Sequence, residues 1–289
     1  MEIPDFMKLG SYSAPFYIEY VKRASPYNMQ SNHFHPYYEV YLLLSGKRVY
    51  FIKDSTYSVE AGDLVFINKH EVHKTLNAGE SGHERIVIHF DDRFISDVFK
   101  QHASLLLSPF DHQSPIVRLP PDNREQLNSL IKRMLRELRD KPAGYELFFS
   151  QAITDLLLMC SRYVVSSIPP ESVYVTPIHR KISEVVRYLN ANFGESTQIQ
   201  QLAARFFISP YYLSRIFKEV TGFTLIDYLN LTRVKEAQRL LRETSLSVTA
   251  IATRVGFDNF SHFGKMFKRI TRTSARDYRK EYSVKRELS

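Results

Sequence analysis

The stretch that decides the fold of the C-terminal half is residues 202–228, LAARFFISPYYLSRIFKEVTGFTLIDY. Residues 251–278, IATRVGFDNFSHFGKMFKRITRTSARDY, repeat its pattern about fifty positions later, with one residue inserted in the turn of the second copy. Because the same residue types recur at the same spacing, the two stretches are predicted to be two copies of one structural unit. The recurring residues are Phe217, Lys218, Thr221, Asp227 and Tyr228 in the first copy, and Phe267, Lys268, Thr271, Asp277 and Tyr278 in the second.

Each copy has the pattern of a helix-turn-helix unit. A short helix is predicted over residues 202–206 and again over 251–255, followed by a tight turn and a longer helix that carries basic residues. On each longer helix, apolar residues at i, i+3 and i+4 form a seam for packing, which leaves the opposite face free for DNA. The seam residues are Leu213, Ile216 and Phe217 in the first copy, and Phe263, Met266 and Phe267 in the second.

Capping residues predict where these helices begin. Ser209-Pro210 offers an N-cap followed by proline at the first helical position. Ser247 and Asp258 are predicted to cap the two helices of the second copy.

The free faces of the two longer helices carry side chains suited to DNA. Arginine and lysine donate to guanine edges and neutralise phosphates, serine bonds to either, and aromatic rings contact thymine methyl groups. A solvated helix face is the alternative interpretation, but two copies in series favour DNA binding. The predicted DNA-binding residues are Tyr211, Ser214, Arg215, Lys218, Phe260, Ser261, Lys265, Lys268 and Arg269.

The charge of the chain is concentrated in the same half. The 289 residues include 39 Lys and Arg and 31 Asp and Glu, for a net charge of +8. Residues 176–289 hold 20 basic and 10 acidic residues, a net +10, which leaves −2 for the residues before them. The basic end of the protein therefore coincides with the duplicated helix-turn-helix pattern and indicates nucleic acid as a partner.

Composition excludes several protein classes. A hydrophobic fraction of 44% indicates a globular protein rather than a disordered one. The single cysteine, Cys160, excludes an intramolecular disulfide framework and a Cys-rich zinc cluster. No signal peptide is evident, and no apolar run reaches the roughly 18 residues of a membrane helix, so we expect a cytoplasmic protein.

The N-terminal half is predicted to be a β domain followed by helices. Short runs rich in β-branched and aromatic residues recur up to about residue 110, a spacing typical of a sandwich or barrel. Helical periodicity follows over 122–139 and 145–163, which we expect to contact a second subunit, and 166–177 is the predicted linker. The predicted domains are a β domain at 10–110, a helical connector and dimerisation element at 111–175, and a DNA-binding domain at 176–285.

Histidines and a glutamate in the β half form a recognisable pattern. His33-x-His35-x3-Glu39 places three side chains at even spacing, so that on an extended strand they share one face, and His73 follows on a later strand. One interpretation is an effector pocket, a second is a metal site with nitrogen and oxygen ligands for Zn, Fe, Mn or Ni, and a third is a set of polar groups that satisfy one another. His89 is interpreted as an ordinary strand residue. We predict effector binding by His33, His35, Glu39, Tyr41 and His73, with no bound metal.

Residues 178–283 resemble the DNA-binding domain of the AraC/XylS family of bacterial transcription regulators. The motifs that carry the resemblance run from Gly256-Phe257 through Phe267-Lys268 to Asp277-Tyr278-Arg279. In that family two helix-turn-helix units, joined by a long helix (here 225–242), place recognition helices in successive major grooves. The sequence departs from the family where Arg272 replaces the usual glycine and Ala275 the usual proline.

The histidine pattern resembles the two cupin motifs, and members of this family often carry a cupin-like barrel as the effector-sensing domain. In the second motif Asn68 replaces the usual proline and His70 the usual glycine. The resemblance implies an all-β cupin-like barrel with a helical connector, followed by an all-α double helix-turn-helix domain.

The predicted function is that of a sequence-specific transcription regulator, an activator that responds to a small polar effector such as a sugar or sugar acid. The implied partners are double-stranded DNA, the effector, a second copy of the chain and RNA polymerase. We predict no enzymatic activity and no cofactor. The alternative is a cupin-type metalloenzyme with a helical DNA-binding appendage.

Overall fold

The computed structural model describes residues 3–11, 14–29, 34–79, 81–96, 100–167, 176–195 and 197–287. Contacts divide the chain into two compact units, one formed mainly by residues before Thr176 and the other mainly by residues from Thr176 on. The first is β-rich and the second is helical, which confirms the predicted fold class. Among the described residues, every helix is too short or too polar to cross a membrane.

The β unit is built from two hydrogen-bonded sheets. The larger sheet has the strand order β1-β2-β8-β3-β6-β9, and the smaller has the order β5-β4-β7. The strands are β1 (Phe6–Gly10), β2 (Phe16–Arg23), β3 (Tyr38–Ser45), β4 (Lys47–Ile52), β5 (Ser55–Glu60), β6 (Leu64–Ile67), β7 (His73–Asn77), β8 (His83–Phe90) and β9 (Ile116–Val117).

The larger sheet has two different faces, because successive side chains on a strand point in opposite directions. On β3, Tyr41 and Leu43 face the smaller sheet and join a core shared by both sheets. Val40 and Leu42 face the other way, towards a layer of helices. Pairing carries this alternation across the sheet, since Glu39 lies opposite His89 of β8. We call the surface between the two sheets the inward face.

The helical layer covers the outer face of the larger sheet. Residues 92–111 were expected to continue the β domain, and this was wrong, because most of the segment is helical. Leu106 and Phe110 of this segment are buried in the core that the sheet shares with the helices. The four helices of the layer are α1 (Asp92–Ser96), α2 (Ala103–Asp111), α3 (Pro121–Asp140) and α4 (Tyr145–Ser166).

The helical unit contains the predicted duplication. α6–α7 and α9–α10 are the two helix-turn-helix units, and α8 joins them. The helices are α5 (Pro177–Ala191), α6 (Ile199–Arg205), α7 (Pro210–Thr221), α8 (Leu225–Glu243), α9 (Val248–Arg254), α10 (Phe260–Thr271) and α11 (Ala275–Glu287).

Side-chain caps fix the starts of the helices in this unit. Ser209 caps α7 by accepting from the backbone N–H of Tyr212, and Ser247 caps α9 in the same way. The expectation that Asp258 caps α10 was wrong. Asn259, one residue later, is the cap and accepts from the N–H of His262 at 2.9 Å.

The recurring aromatic residues form the two cores of the helical unit. Phe217 and Phe267 are fully buried. Tyr228, at the start of α8, packs edge-on against Phe217 with ring centroids 5.8 Å apart, and Tyr278 packs against Phe267 at 5.7 Å. The repeat in the sequence is therefore a repeat of packing, and each longer helix is held to the next helix through the same pair of rings.

Candidate functional site

The predicted DNA-binding residues form an exposed surface on α7 and α10, which we call the DNA-facing surface. All nine are exposed to solvent, while the apolar seams of the same helices are buried. Tyr211 is 79% exposed and Phe260 is 45% exposed, which is unusual for large aromatic side chains unless they meet a partner. The structure thus brings the predicted residues of each helix together on one face.

The stripes on the two helices correspond position by position. Tyr211, Ser214, Arg215 and Lys218 on α7 match Ser261, Gly264, Lys265 and Lys268 on α10, fifty residues later. Gly264 is exposed, and a Cβ added there would meet nothing within 4 Å. The second helix therefore presents bare backbone where the first presents a serine.

Two arginines on this surface already interact within the protein. The Arg215 guanidinium lies 5.6 Å from the centroid of the Tyr212 ring. Arg269 lies 3.5 Å from the carboxylate of Asp227. Both arginine side chains remain exposed to solvent. These surface contacts are weak, so both arginines can still bind DNA.

Sequence reasoning missed one residue beside this surface. Phe207, in the turn between α6 and α7, is 92% exposed and has a positive φ of 56°. The corresponding turn of the second unit has Gly256, with φ of 90°. A bulky residue in this conformation costs about 1–2 kcal/mol, and its exposure returns no packing energy. The sequence indicated this position, because Phe207 of the first copy stands where the second copy has Gly256.

The C-terminus of α10 carries another residue in the left-handed conformation. Arg272 has φ of 65°, and its backbone N–H bonds to the carbonyl of Lys268. Gly222 takes the same position after α7, with φ of 76° and its N–H on Lys218. The departure from the family pattern at Arg272 therefore leaves the helix end intact, with an arginine in a conformation that favours glycine.

On the inward face of the β unit, four residues converge. Glu39 Oε2 lies 3.0 Å from His35 Nε2, 2.8 Å from His89 Nε2 and 3.7 Å from His73 Nε2. All four side chains are less than a tenth exposed. We call this group, His35, Glu39, His73 and His89, the histidine–glutamate cluster.

Three of the predicted effector residues, His35, Glu39 and His73, belong to this cluster. Tyr41 lies on the same face of β3, two residues beyond Glu39, in the core shared by both sheets. His33 lies outside the described residues. His89, interpreted from the sequence as an ordinary strand residue, is a member of the cluster. Its alternation with Ile88 and Phe90, which face the helices, was the signal that it points inward.

Burial and the contacts within the cluster shift the pKa values of Glu39, His35 and His73. Burial by itself raises the pKa of Glu39, but the three surrounding histidines, of which His35 and His89 lie at hydrogen-bond distance, outweigh burial and hold this pKa well below its usual range. Burial lowers the pKa of His35 to about 4 despite its bond to Glu39. Burial also acts to lower the pKa of His73, yet Glu39 and the Glu71 carbonyl reverse the effect and raise it. The cluster thus holds an ionised carboxylate in a buried site.

The donor set of the cluster also fits a divalent metal ion. One ligand atom each from His35, Glu39 and His89 lie within 4.8 Å of one another. His35 Nδ1 donates to the Tyr37 carbonyl at 2.9 Å and His73 Nδ1 to the Glu71 carbonyl at 2.8 Å. These bonds fix the ring orientations and aim the Nε2 atoms at Glu39, as outer contacts do around bound metals. Two imidazoles and a carboxylate suit Zn, Fe, Mn or Ni.

Comparison with known protein families gives two matches. Residues 17–157 match the family described as "AraC-like ligand binding domain". Residues 202–281 match the family described as "Helix-turn-helix domain". The first match contains the histidine–glutamate cluster and the second contains the DNA-facing surface.

Individual relatives are similar over nearly the whole chain. The "HTH-type transcriptional activator RhaS" of Klebsiella pneumoniae (strain 342) is 25% identical, over 95% of each chain. The protein of the same name from Escherichia coli (strain SE11) is 26% identical, over 86% of each chain. Among solved structures, ToxT of Vibrio cholerae aligns with a TM-score of 0.40 at 13% identity, over 92% of this chain and 97% of ToxT.

Proposed function

Because this chain belongs to the AraC/XylS family of transcription regulators, we propose that it activates transcription when a small polar effector binds its β domain. Two relatives are both described as "HTH-type transcriptional activator RhaS", which supports activation rather than repression. The observation that carries the proposal is the pair of exposed basic stripes on α7 and α10, supported by buried cores of the same design. As a DNA-binding regulator without enzymatic activity, it acts in the cytoplasm.

DNA binding is assigned to residues 176–285. α7 and α10 enter successive major grooves, with Arg215 and Lys265 reading base edges and Lys218 and Lys268 neutralising phosphates. Phe207 and Tyr211 extend the first contact with aromatic surface. The net charge of +10 on residues 176–289 supplies the electrostatic attraction that brings the protein to DNA.

Effector binding is assigned to residues 10–110, on the inward face of the β domain. His35, Glu39, His73 and Tyr41 supply donors and acceptors of the kind that recognise hydroxyl groups, and His89 is added to them. A sugar or sugar acid fits this chemistry. Coupling to DNA requires that the effector favour one arrangement of the protein over another.

Dimerisation is assigned to the helical connector at 111–175. Leu147 and Val165 of α4 are 75% and 67% exposed, so this helix presents apolar surface as well as burying it. A second copy of the chain is the proposed partner for this surface. RNA polymerase is the proposed partner of the DNA-bound activator.

The test of effector binding compares Glu39→Gln with the unmodified full chain. A thermal-shift screen against monosaccharides, uronic acids and divalent metals first identifies a stabilising compound. We expect that compound to change DNA affinity in the unmodified protein and to leave the DNA affinity of Glu39→Gln unchanged. An equal response in both proteins would show that the histidine–glutamate cluster is not the effector site.

The metalloenzyme alternative rests on the metal-compatible donor set of the cluster. The same screen tests it, since bound metal at one equivalent together with turnover of a substrate would support an enzyme. Metal at one equivalent without turnover, together with effector-dependent DNA binding, would support a regulator that uses the ion to hold its effector.

A further inference from the structure

A second polar cluster lies on the inward face, away from the histidine–glutamate cluster. β8 contributes Arg85 and β2 contributes Arg23, whose neighbour across the strand pair is His83. Arg48 enters from β4 of the facing sheet. Along β8, Arg85 is four residues from the histidine–glutamate cluster, or about 13 Å at roughly 3.3 Å per residue. We call Arg23, Arg48 and Arg85, with Tyr41 and His83, the arginine cluster.

Two tyrosines lie against the three guanidinium groups, Tyr27 against Arg23 and Arg48, and Tyr41 against Arg85. Arg23 lies 4.2 Å from the centroid of the Tyr27 ring, and Arg48 Nη2 donates to the Tyr27 carbonyl at 2.6 Å. Arg85 lies 5.9 Å from the centroid of the Tyr41 ring. The His83 ring stacks on the other side of the group, with its centroid 6.3 Å from that of the Tyr27 ring. Burial, followed by the positive charges of the three arginines, lowers the pKa of His83 to about 4.

Positive charge exceeds negative charge in the arginine cluster. Arg85 donates to Glu19 at 2.6 Å, and among the described residues this is the single ion pair that any of the three arginines makes. Arg48, only 1% exposed, donates instead to neutral groups, with Nε 3.2 Å from Thr75 Oγ1. Within the described part of the chain, three guanidinium groups beside one carboxylate leave two positive charges without a counterion in a partly buried site, which is unfavourable unless an anion joins them.

Polar atoms without a hydrogen-bond partner within the described residues complete the arginine cluster. The Tyr41 hydroxyl, His83 Nδ1 and Arg23 Nε are buried and lack a hydrogen-bond partner within the described part of the chain. Tyr41 is 1% exposed and His83 is 4% exposed, so water does not satisfy them freely. Burial raises the pKa of Tyr41 to about 12, and the hydroxyl therefore keeps its proton to donate.

We propose that the arginine cluster binds an oxyanion, the carboxylate or phosphate group of the effector. Guanidinium groups donate in a planar fork that matches both groups, and the Tyr41 hydroxyl and His83 Nδ1, which lack a partner among the described residues, add further hydrogen-bonding atoms. Arg85 and Glu19 are 15% and 20% exposed, so a small anion reaches the cluster from solvent while Arg48 lies beneath it. The inference rests on the proposed function, since it gives the chemical class of the effector in the same domain.

The test measures thermal unfolding of the full chain in sodium acetate, sodium phosphate and sodium chloride at equal ionic strength. We expect acetate or phosphate to raise the melting temperature above its value in chloride, and the difference between those two anions identifies the carboxylate or the phosphate as the preferred group. Arg85→Gln should weaken the stabilising anion by about 10- to 100-fold, the loss of one charge-assisted pair. Arg85→Lys, which keeps the ion pair with Glu19, should retain part of the effect.

Two control variants locate the response. Arg118→Gln removes an exposed arginine of the same unit that pairs with Asp63, and Arg215→Ala removes one from the DNA-facing surface. Both should respond to the anion as the unmodified protein does. The proposal is wrong if neither anion exceeds chloride, or if Arg85→Gln and Arg118→Gln respond equally. DNA binding by Arg118→Gln, measured on the same samples, reports separately on the proposed function.

Discussion

Arg215 and Phe217 lie two residues apart on α7, and their substitution by alanine is predicted to affect different properties, DNA affinity for Arg215 and stability for Phe217. Arg215 is exposed, so Arg215→Ala should weaken binding to the preferred DNA site by about 1–3 kcal/mol with little change in stability. Phe217 is fully buried against Tyr228, so Phe217→Ala should destabilise the helical domain by about 3–5 kcal/mol. Melting curves and DNA titrations of both variants separate the two roles. Loss of stability in Arg215→Ala would contradict the assignment of its side chain to DNA.

Arg272 is predicted to carry backbone strain that its counterpart avoids. Arg272→Gly should raise the free energy of unfolding of the helical domain by about 1 kcal/mol, because glycine adopts positive φ without steric cost. Gly222→Ala, at the matching position after α7, should lower it by a similar amount. Urea denaturation measures both. If Arg272→Gly instead lowers stability, the arginine side chain makes a contact that outweighs its strain.

At the level of single elements, α7 and α10 were the most predictable parts of the fold. Their apolar seams, turns and basic stripes follow from the spacing of residues close in sequence. The same spacing occurs in both copies of the repeat, so each feature was indicated twice. The error at the start of α10 was small: adjacent Asp258 and Asn259 are both good caps, and backbone geometry decides between them.

The strands were harder to predict, because their partners are distant in sequence. β7 begins at His73, in a stretch without the alternation of polar and apolar residues that is typical of a strand. This strand pairs with β4, which lies more than twenty residues earlier in the sequence. Membership of the histidine–glutamate cluster was predicted for residues that a motif joins and missed for His89, fifty residues from Glu39. The arginine cluster could not be predicted for the same reason, since its members come from four strands that no local pattern connects.

His83 of β8 is predicted to make the stability of the β domain sensitive to acid. The pKa of His83 is lowered to about 4, first by burial and then by three arginines. Between about pH 6.5 and 4, the unfolded state therefore binds a proton that the folded state does not. Stability should therefore fall as pH falls through this range. His35, lowered to about 4 by burial, acts in the same direction, while the raised pKa of His73 opposes it.

His83→Gln tests that contribution. Urea denaturation of the full chain at about pH 7 and pH 5 should show a smaller loss of stability in the variant than in the unmodified protein, because one titrating group is gone. An equal loss in both proteins would mean that His83 titrates normally in the folded state.

At the scale of the whole molecule, charge and function divide along the chain in the same way. The net charge of −2 before residue 176 accompanies a domain with two polar clusters on its inward face, and the net +10 after it accompanies helices whose basic stripes are exposed. In the proposed function, the first half binds a small molecule and the second contacts an extended polyanion. This separation lets each half change its partner without altering the core of the other.

The central claim is that two helix-turn-helix units read one stretch of duplex DNA. Hydroxyl-radical footprinting of the full chain on a selected DNA site, repeated over a series of salt concentrations, tests this claim most directly. We predict two protected patches about one helical turn apart, roughly 10 base pairs, and an affinity that falls steeply as salt rises. Arg215→Ala should weaken one patch more than the other. A single patch, or equal binding to unrelated DNA at every salt concentration, would contradict the account.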